Sequence, residues 1–177
     1  MWDALKRRLG LTPPQPPAKT KAMHRITEHI WQGGYPMDED FDAMWDVGIR
    51  WLFNLDLPYY DIQNLENRGF HVVTEILKDM GKDRPERWWA VLEPLAHADR
   101  TLGAGCYVHC NAGASRSPTA VWLHLMLGGM TAEAAEHLVI AGNPHACPGD
   151  PAIMDERIIS GIRALAQAAG RSTRDTH

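Results

Sequence analysis

Hydrophobic and polar positions change period several times along the chain, and each change marks an element. Short apolar runs rich in β-branched and aromatic residues predict strands near Ile26–Trp31, Arg50–Asn54, Phe70–Ile76 and Cys106–His109. Longer stretches at helical spacing predict helices near Asp40–Asp46, Tyr60–Asn67, Pro85–Leu102, Pro118–Leu127, Thr131–Ala141 and Pro151–Ala168. Gly48, Gly69 and Gly142 stand just past three of these helix ends, where a left-handed residue commonly closes a helix. Strands alternating with helices imply an α/β fold: a largely parallel central sheet of about four to five strands, flanked by helices on both faces. In such a fold a ligand site is expected beyond the carboxyl end of the Cys106–His109 strand. There is no internal repeat, and no apolar run approaches the ~18 residues that a spanning helix needs.

A chain of 177 residues, 45% hydrophobic and 23% charged, is long enough for one sizeable core and short for two. One domain is expected over residues 23–170, between a basic, proline-containing arm at 1–22 and a polar tail at 171–177. Charge is uneven: residues 1–25 carry six basic groups against Asp3, a net +5, so the rest holds −9 of the overall −4. No Lys/Arg stripe interleaved with aromatics occurs in the body, which argues against a nucleic-acid partner. Trp2, Leu5 and Leu9 share one side of a short amphipathic turn, and Pro13 to Pro17 reads as a stiff linker. At this length the arm is expected to pack on the body or stay solvated in preference to touching a membrane. The N-terminus lacks the apolar stretch of an export signal. Cys106 and Cys110 fall on one predicted strand, roughly 13 Å apart at about 3.3 Å per residue, too far to bridge. With Cys147 the count is odd, which points to a reducing, cytoplasmic compartment. The sequence says nothing of oligomeric state.

The chemistry concentrates in His109-Cys110-Asn111-Ala112-Gly113-Ala114-Ser115-Arg116-Ser117, between a strand-like and a helix-like stretch. Five small or short-chained residues separate Cys110 from Arg116, so the backbone can curl with its N–H groups inward and form an anion-binding nest at a helix N-terminus. A thiol at the mouth of that nest feels the positive helix end and the Arg116 charge, both of which favour thiolate. Asn111, Ala112, Gly113, Ala114, Ser115 and Arg116 are thus the phosphate-binding candidates. A buried structural cysteine would have no use for an arginine six residues on.

The pattern HC-x5-R-S resembles the active-site loop of the cysteine-dependent phosphatases, and HCNAGASRSPT is most similar to the dual-specificity phosphatases. The likeness runs from about Ile26 to about Leu165. It includes Ile30-Trp31-Gln32-Gly33-Gly34, Gly48 to Leu55, and Met130 to Ala135. The resemblance implies Cys110 as nucleophile, Arg116 as phosphate ligand, and Ser117 as a donor to the departing sulfur. It also implies a general acid after a strand and about thirty residues upstream, because a poor leaving group departs only if protonated. Asp79, 31 residues before Cys110, fits that place; Asp83 is the other candidate, though Asp83-Arg84-Pro85-Glu86 also reads as a helix start. Ser117 likewise reads as an N-cap of the Pro118 helix.

Strand alternation turns His109 away from the nest, so it is read as organising the loop without transferring protons. Trp88 and Trp89 follow the acid loop, one expected in the core and one at the pocket rim. No histidine pair has metal-ligand spacing, and neither a metal nor a cofactor is called for. The implied activity is phosphomonoester hydrolysis through a phosphocysteine, on phosphotyrosine and phosphoserine or phosphothreonine. The alternatives are a non-protein phosphoester (phosphoinositide, inositol phosphate or phosphoglucan) and a catalytically silent phospho-ligand binding module. The family's Arg-Pro and following Pro-Asn read Asn143-Pro144 and Pro148-Gly149 here. Gly149 replaces an asparagine that braces the loop in the family, so weak loop support is expected.

Overall fold

The computed structural model describes residues 23–172; the amphipathic turn and proline linker of the arm lie outside the described residues. Among the described residues five strands form one sheet: β1 (His24–Arg25), β2 (Ile30–Gly33), β3 (Ile49–Asn54), β4 (His71–Thr74) and β5 (Gly105–His109). Their order is β1-β2-β5-β3-β4, with only β1 antiparallel to its neighbour. The helices of the described residues are α1 (Asp40–Asp46), α2 (Ile62–Asn67), α3 (Pro85–Ala96), α4 (Arg116–Leu127), α5 (Ala132–Gly142) and α6 (Glu156–Ser172).

Side-chain alternation divides the core into two layers. On one face Trp31, Ile49, Leu52 and Tyr107 pack against Phe41 and Met44 of α1 and Leu65 of α2. On the other, Ile30, Phe53, Cys106 and Val108 meet α3, α4, α5 and α6 through Val91, Leu95, Val121, Leu125, Val139 and Ile162. A bulge at Arg50 explains why Ile49 and Leu52, three apart, share a face. None of the described helices is long and apolar enough to cross a membrane.

Four expectations shift. The stretch Ile26–Trp31 is not one strand: Thr27 to His29 turn the chain so that β1 and β2 pair back on each other, with Thr27 Oγ1 accepting from Ile30 N. The helix expected over Pro85–Leu102 stays α-helical only to Ala96. Pro94 withholds one ladder hydrogen bond, and His97–Thr101 form a wider π turn capped by Leu102. Residues 151–153 form a turn, so α6 starts at Glu156 after an Asp155 side chain that accepts from Ile158 N. Gly142 lies inside α5, against Ile26, whereas Gly48 and Gly69 do follow their helix ends with positive φ.

Strand register places the site. Gly33 of β2 and Asn54 of β3 both stand opposite His109 of β5, so the three central strands finish level. Their following loops leave the sheet side by side.

Candidate active site

The loop after β5 is held from three sides. Leu55 N donates to His109 O and Tyr35 N to Asn111 O, both at 2.9 Å, fastening the exits of β3 and β2 to it. From outside, Gln32 Nε2 and Asn143 Nδ2 donate to Gly113 O at 2.9 and 3.2 Å, and Cys147 N donates to Ala114 O at 2.7 Å. The carbonyls of Asn111, Gly113 and Ala114 therefore all face outward. A trans peptide opposes its C=O and N–H, so the N–H groups of Ala112, Ala114 and Ser115 face the interior of the loop. Gly113 has φ +70°, and a Cβ there would lie 2.5 Å from Gly33 C. Only glycine lets the loop rest on the Gly33-Gly34 turn.

The weak loop support expected from Gly149 is corrected. Asn143, at the end of α5, reaches the loop from a different position, and Gly149 contributes its own N–H to Thr119 Oγ1 at 2.9 Å. Ser115 Oγ donates to Asp150 Oδ2 at 2.8 Å from the same segment.

Inside this frame Cys110 is buried, with Sγ 3.3 Å from Ser117 Oγ. Helix α4 begins at Arg116, two residues before the expected start, so Ser117 sits in its first turn and is not its N-cap. Its hydroxyl lies 2.8 Å from Gln32 Nε2 and 3.0 Å from Gly33 O. The Arg116 side chain is 3% exposed. Nη1 donates to Leu55 O and Leu77 O, and Nη2 bridges Asp56 Oδ2 at 2.7 Å and Asp79 Oδ1 at 2.8 Å. Its Nε is buried without a partner, an N–H ready for an incoming acceptor.

The two candidate acids part company. Asp79 is 77% exposed and reaches over to Arg116. Asp83 is buried: its Oδ2 accepts from Lys78 N at 2.7 Å, and Arg87 stands 3.5 Å from Oδ1. Nor is Asp83 the cap of α3, a position held by Arg84 with Pro85 behind it. Asp83 thus closes the loop that carries Asp79. Of the neighbouring basic groups, Arg87 is tied to Glu75 and Ile76 O, and Lys82 pairs with Asp155 at 2.8 Å. Trp88 is core, while Trp89 lines a cavity with Glu93, Leu127 and Ala166, so the rim position expected for one of them is not taken.

His109 lies on the face opposite the nest, as alternation requires, stacked with Tyr107 and edge-on to Tyr35. Its Nε2 is 2.9 Å from the Tyr60 hydroxyl. Burial pushes its pKa down to about 3, so the ring is neutral; burial likewise pushes the Tyr60 phenol up.

Three polar residues of the site were not singled out as functional from sequence. Asp56 lies two residues past β3, at the level where the site was expected, and that position is its only local signal. Gln32 is a lone polar residue in the strand Ile30-Trp31-Gln32-Gly33, facing the core. Asn143 was noted only as a departure from the family.

No family model matches the chain, and no curated protein does. Solved structures do. PTPMT1 superposes with a TM-score of 0.68 at 20% identity, over 86% of this chain and 99% of that one. The fold is that of the dual-specificity phosphatases. Tk-PTP in its active form matches with a TM-score of 0.65 at 19% identity, covering 82% and 96% of the two chains. A variant of human DUSP28 gives 0.64 at 19%, covering 85% and 97%. On this dual-specificity phosphatase fold, the nest, the thiol at its floor and the carboxylate above it can bind an anion, attack it and protonate what leaves.

Proposed function

We propose that this chain hydrolyses phosphomonoesters through a phosphocysteine on Cys110, most readily those of phosphotyrosine, phosphoserine and phosphothreonine in proteins. The observation that carries the reading is that one short loop brings together three features: the Cys110 thiol, the inward N–H groups of Ala112, Ala114 and Ser115, and the unpartnered Nε of Arg116. A phosphate seated there accepts from the nest and from Arg116, while Asp56 holds the guanidinium in place. Sulfur attacks phosphorus as the ester oxygen leaves with a proton from Asp79. Asp79 then deprotonates a water that attacks the thiophosphate, and the P–S electron pair returns to sulfur. Before substrate arrives, Arg116 pairs with Asp79, so phosphate and carboxylate compete for one donor.

The catalytic unit in this reading is residues 23–170, with the arm 1–22 and the tail 171–177 outside it. Three free thiols support a reducing, cytoplasmic setting. Asn111, Ala112, Ala114 and Ser115 carry no charge, which favours a singly phosphorylated group over a polyanionic headgroup. One observation favours a second reading: PTPMT1 also occurs in a solved complex with PI(5)P, at 19% identity to this chain.

A phosphate-release assay tests both. Wild type should turn over an aryl phosphate and phosphopeptides, and Cys110→Ser should bind tungstate without turnover. Binding without turnover by wild type would identify a silent module instead. A tenfold preference for a phosphoinositide over the best phosphopeptide would select the lipid substrate.

A further inference from the structure

Gln32 is wholly buried, and its orientation is forced. Its Nε2 lies 2.9 Å from Gly113 O, a group that only accepts, while its Oε1 accepts from Asn143 Nδ2 at 2.8 Å. Of the two acceptors left for the second Nε2 hydrogen, Ser117 Oγ at 2.8 Å is much nearer than Gly33 O at 3.4 Å and takes it. Ser117 has one proton of its own, and Gln32 cannot take it. Two acceptors are left for it, Gly33 O at 3.0 Å and Cys110 Sγ at 3.3 Å. Gln32, Asn143 and Ser117 are almost fully excluded from water, and such a network is stable only if its members satisfy one another.

We infer that Gln32, held by Asn143, is a positioning residue for hydrolysis of the phosphocysteine: it confines the Ser117 proton to the Gly33–Cys110 side, where it meets the departing sulfur. This rests on the phosphocysteine reading above. In that step water oxygen bonds to phosphorus, its proton passes to Asp79, and the P–S bond breaks with the electron pair left on Sγ. The Ser117 hydroxyl then turns from Gly33 O to the new thiolate and stabilises it. In the first step sulfur is instead losing negative charge, so the same bond gives no advantage there. Gln32 thus acts on one half-reaction, through Ser117, and touches neither sulfur nor substrate.

The test separates the two half-reactions. With an aryl phosphate of good leaving group, the fraction of Cys110 carrying phosphate is measured by mass spectrometry after a rapid denaturing quench, beside the pre-steady-state and steady-state rates. Gln32→Met, of similar size and unable to donate, should slow phosphocysteine hydrolysis roughly tenfold and raise the trapped fraction, while its formation, which loses only the bond to Gly113 O that Asn143 also makes, slows by less. Gln32→Glu keeps the shape but accepts the Ser117 proton, and should slow hydrolysis at least as much. It carries the test if the Met variant does not fold. In a Ser117→Ala background neither change should slow hydrolysis further. Equal slowing of both steps, unchanged hydrolysis, or full additivity with Ser117→Ala would overturn the inference while leaving the catalytic reading intact. Wild type that turns over nothing and traps no phosphate would overturn both.

Discussion

Acidification is a direct probe of the buried imidazole behind the nest. His109 is wholly buried beside Tyr35, Tyr60 and Tyr107, and burial holds its pKa near 3, against about 6.5 in an unfolded chain. Between those values the unfolded state binds a proton that the folded state refuses, so stability rises with pH across that window. The contribution is present in full above the unfolded pKa and is lost progressively as pH falls toward 3. At about 1.4 kcal/mol per pH unit, the loss from pH 7.5 to pH 5 is about 2 kcal/mol. Urea unfolding of wild type and His109→Asn at both pH values isolates it, because all other titrating groups are common to the two proteins. The substitution destabilises at every pH by breaking the Tyr60 contact, so only the increment between the two pH values is read. Wild type should lose about 2 kcal/mol more than the variant over this interval. An equal pH dependence in the two proteins would refute the claim that His109 is folded in a neutral state.

Other substitutions check the frame and the acid. Gly113→Ala, which forces a positive φ on a Cβ 2.5 Å from Gly33 C, should cost about 2 kcal/mol or more in chemical unfolding and weaken phosphate inhibition. Asp79→Asn should leave unfolding stability unchanged, since its side chain is mostly solvated, yet slow alkyl phosphate hydrolysis far more than that of an activated aryl phosphate. Asp83→Ala should lower stability by about 1–3 kcal/mol, by stranding Lys78 N, and slow both substrates alike. Under peroxide, mass spectrometry should find Cys110 oxidised first and phosphate protecting it. Cys106 should be the slowest, because burial pushes its thiol up and closes access, and Cys147, exposed but also pushed up by desolvation and Asp150, should lag behind Cys110.

Much of this molecule is written in local pattern. Periodicity marks the parallel core strands and most helices, because those elements bury one face or both and the chain must repeat accordingly. The Cys110–Arg116 spacing and its small residues describe a closed loop, since a nest depends on backbone curvature over a few consecutive residues. Alternation alone turns His109 from that loop, and the structure has it so. Tertiary packing decided the rest. Whether Ile26–Trp31 runs on or folds back depends on an edge pairing that no local period encodes. Asp79 and Asp83 share one loop and one chemistry, and they differ only in which way the folded loop points each of them, one to Arg116 and one inward to Lys78 N. Asp56 and Gln32 meet at the nest because β2, β5 and β3 end level, and Asn143 joins them from the end of α5. Their partners at the nest lie 30 to 111 residues away along the chain, so a sequence window sees each as an isolated polar residue. The support of the loop was misjudged for the same reason: the family's asparagine position is glycine, while Asn143, six residues earlier, donates to the loop at Gly113 O. Sequence order names a position, but hydrogen bonds are satisfied in three dimensions, by whichever donor the packed backbone brings within about 3 Å.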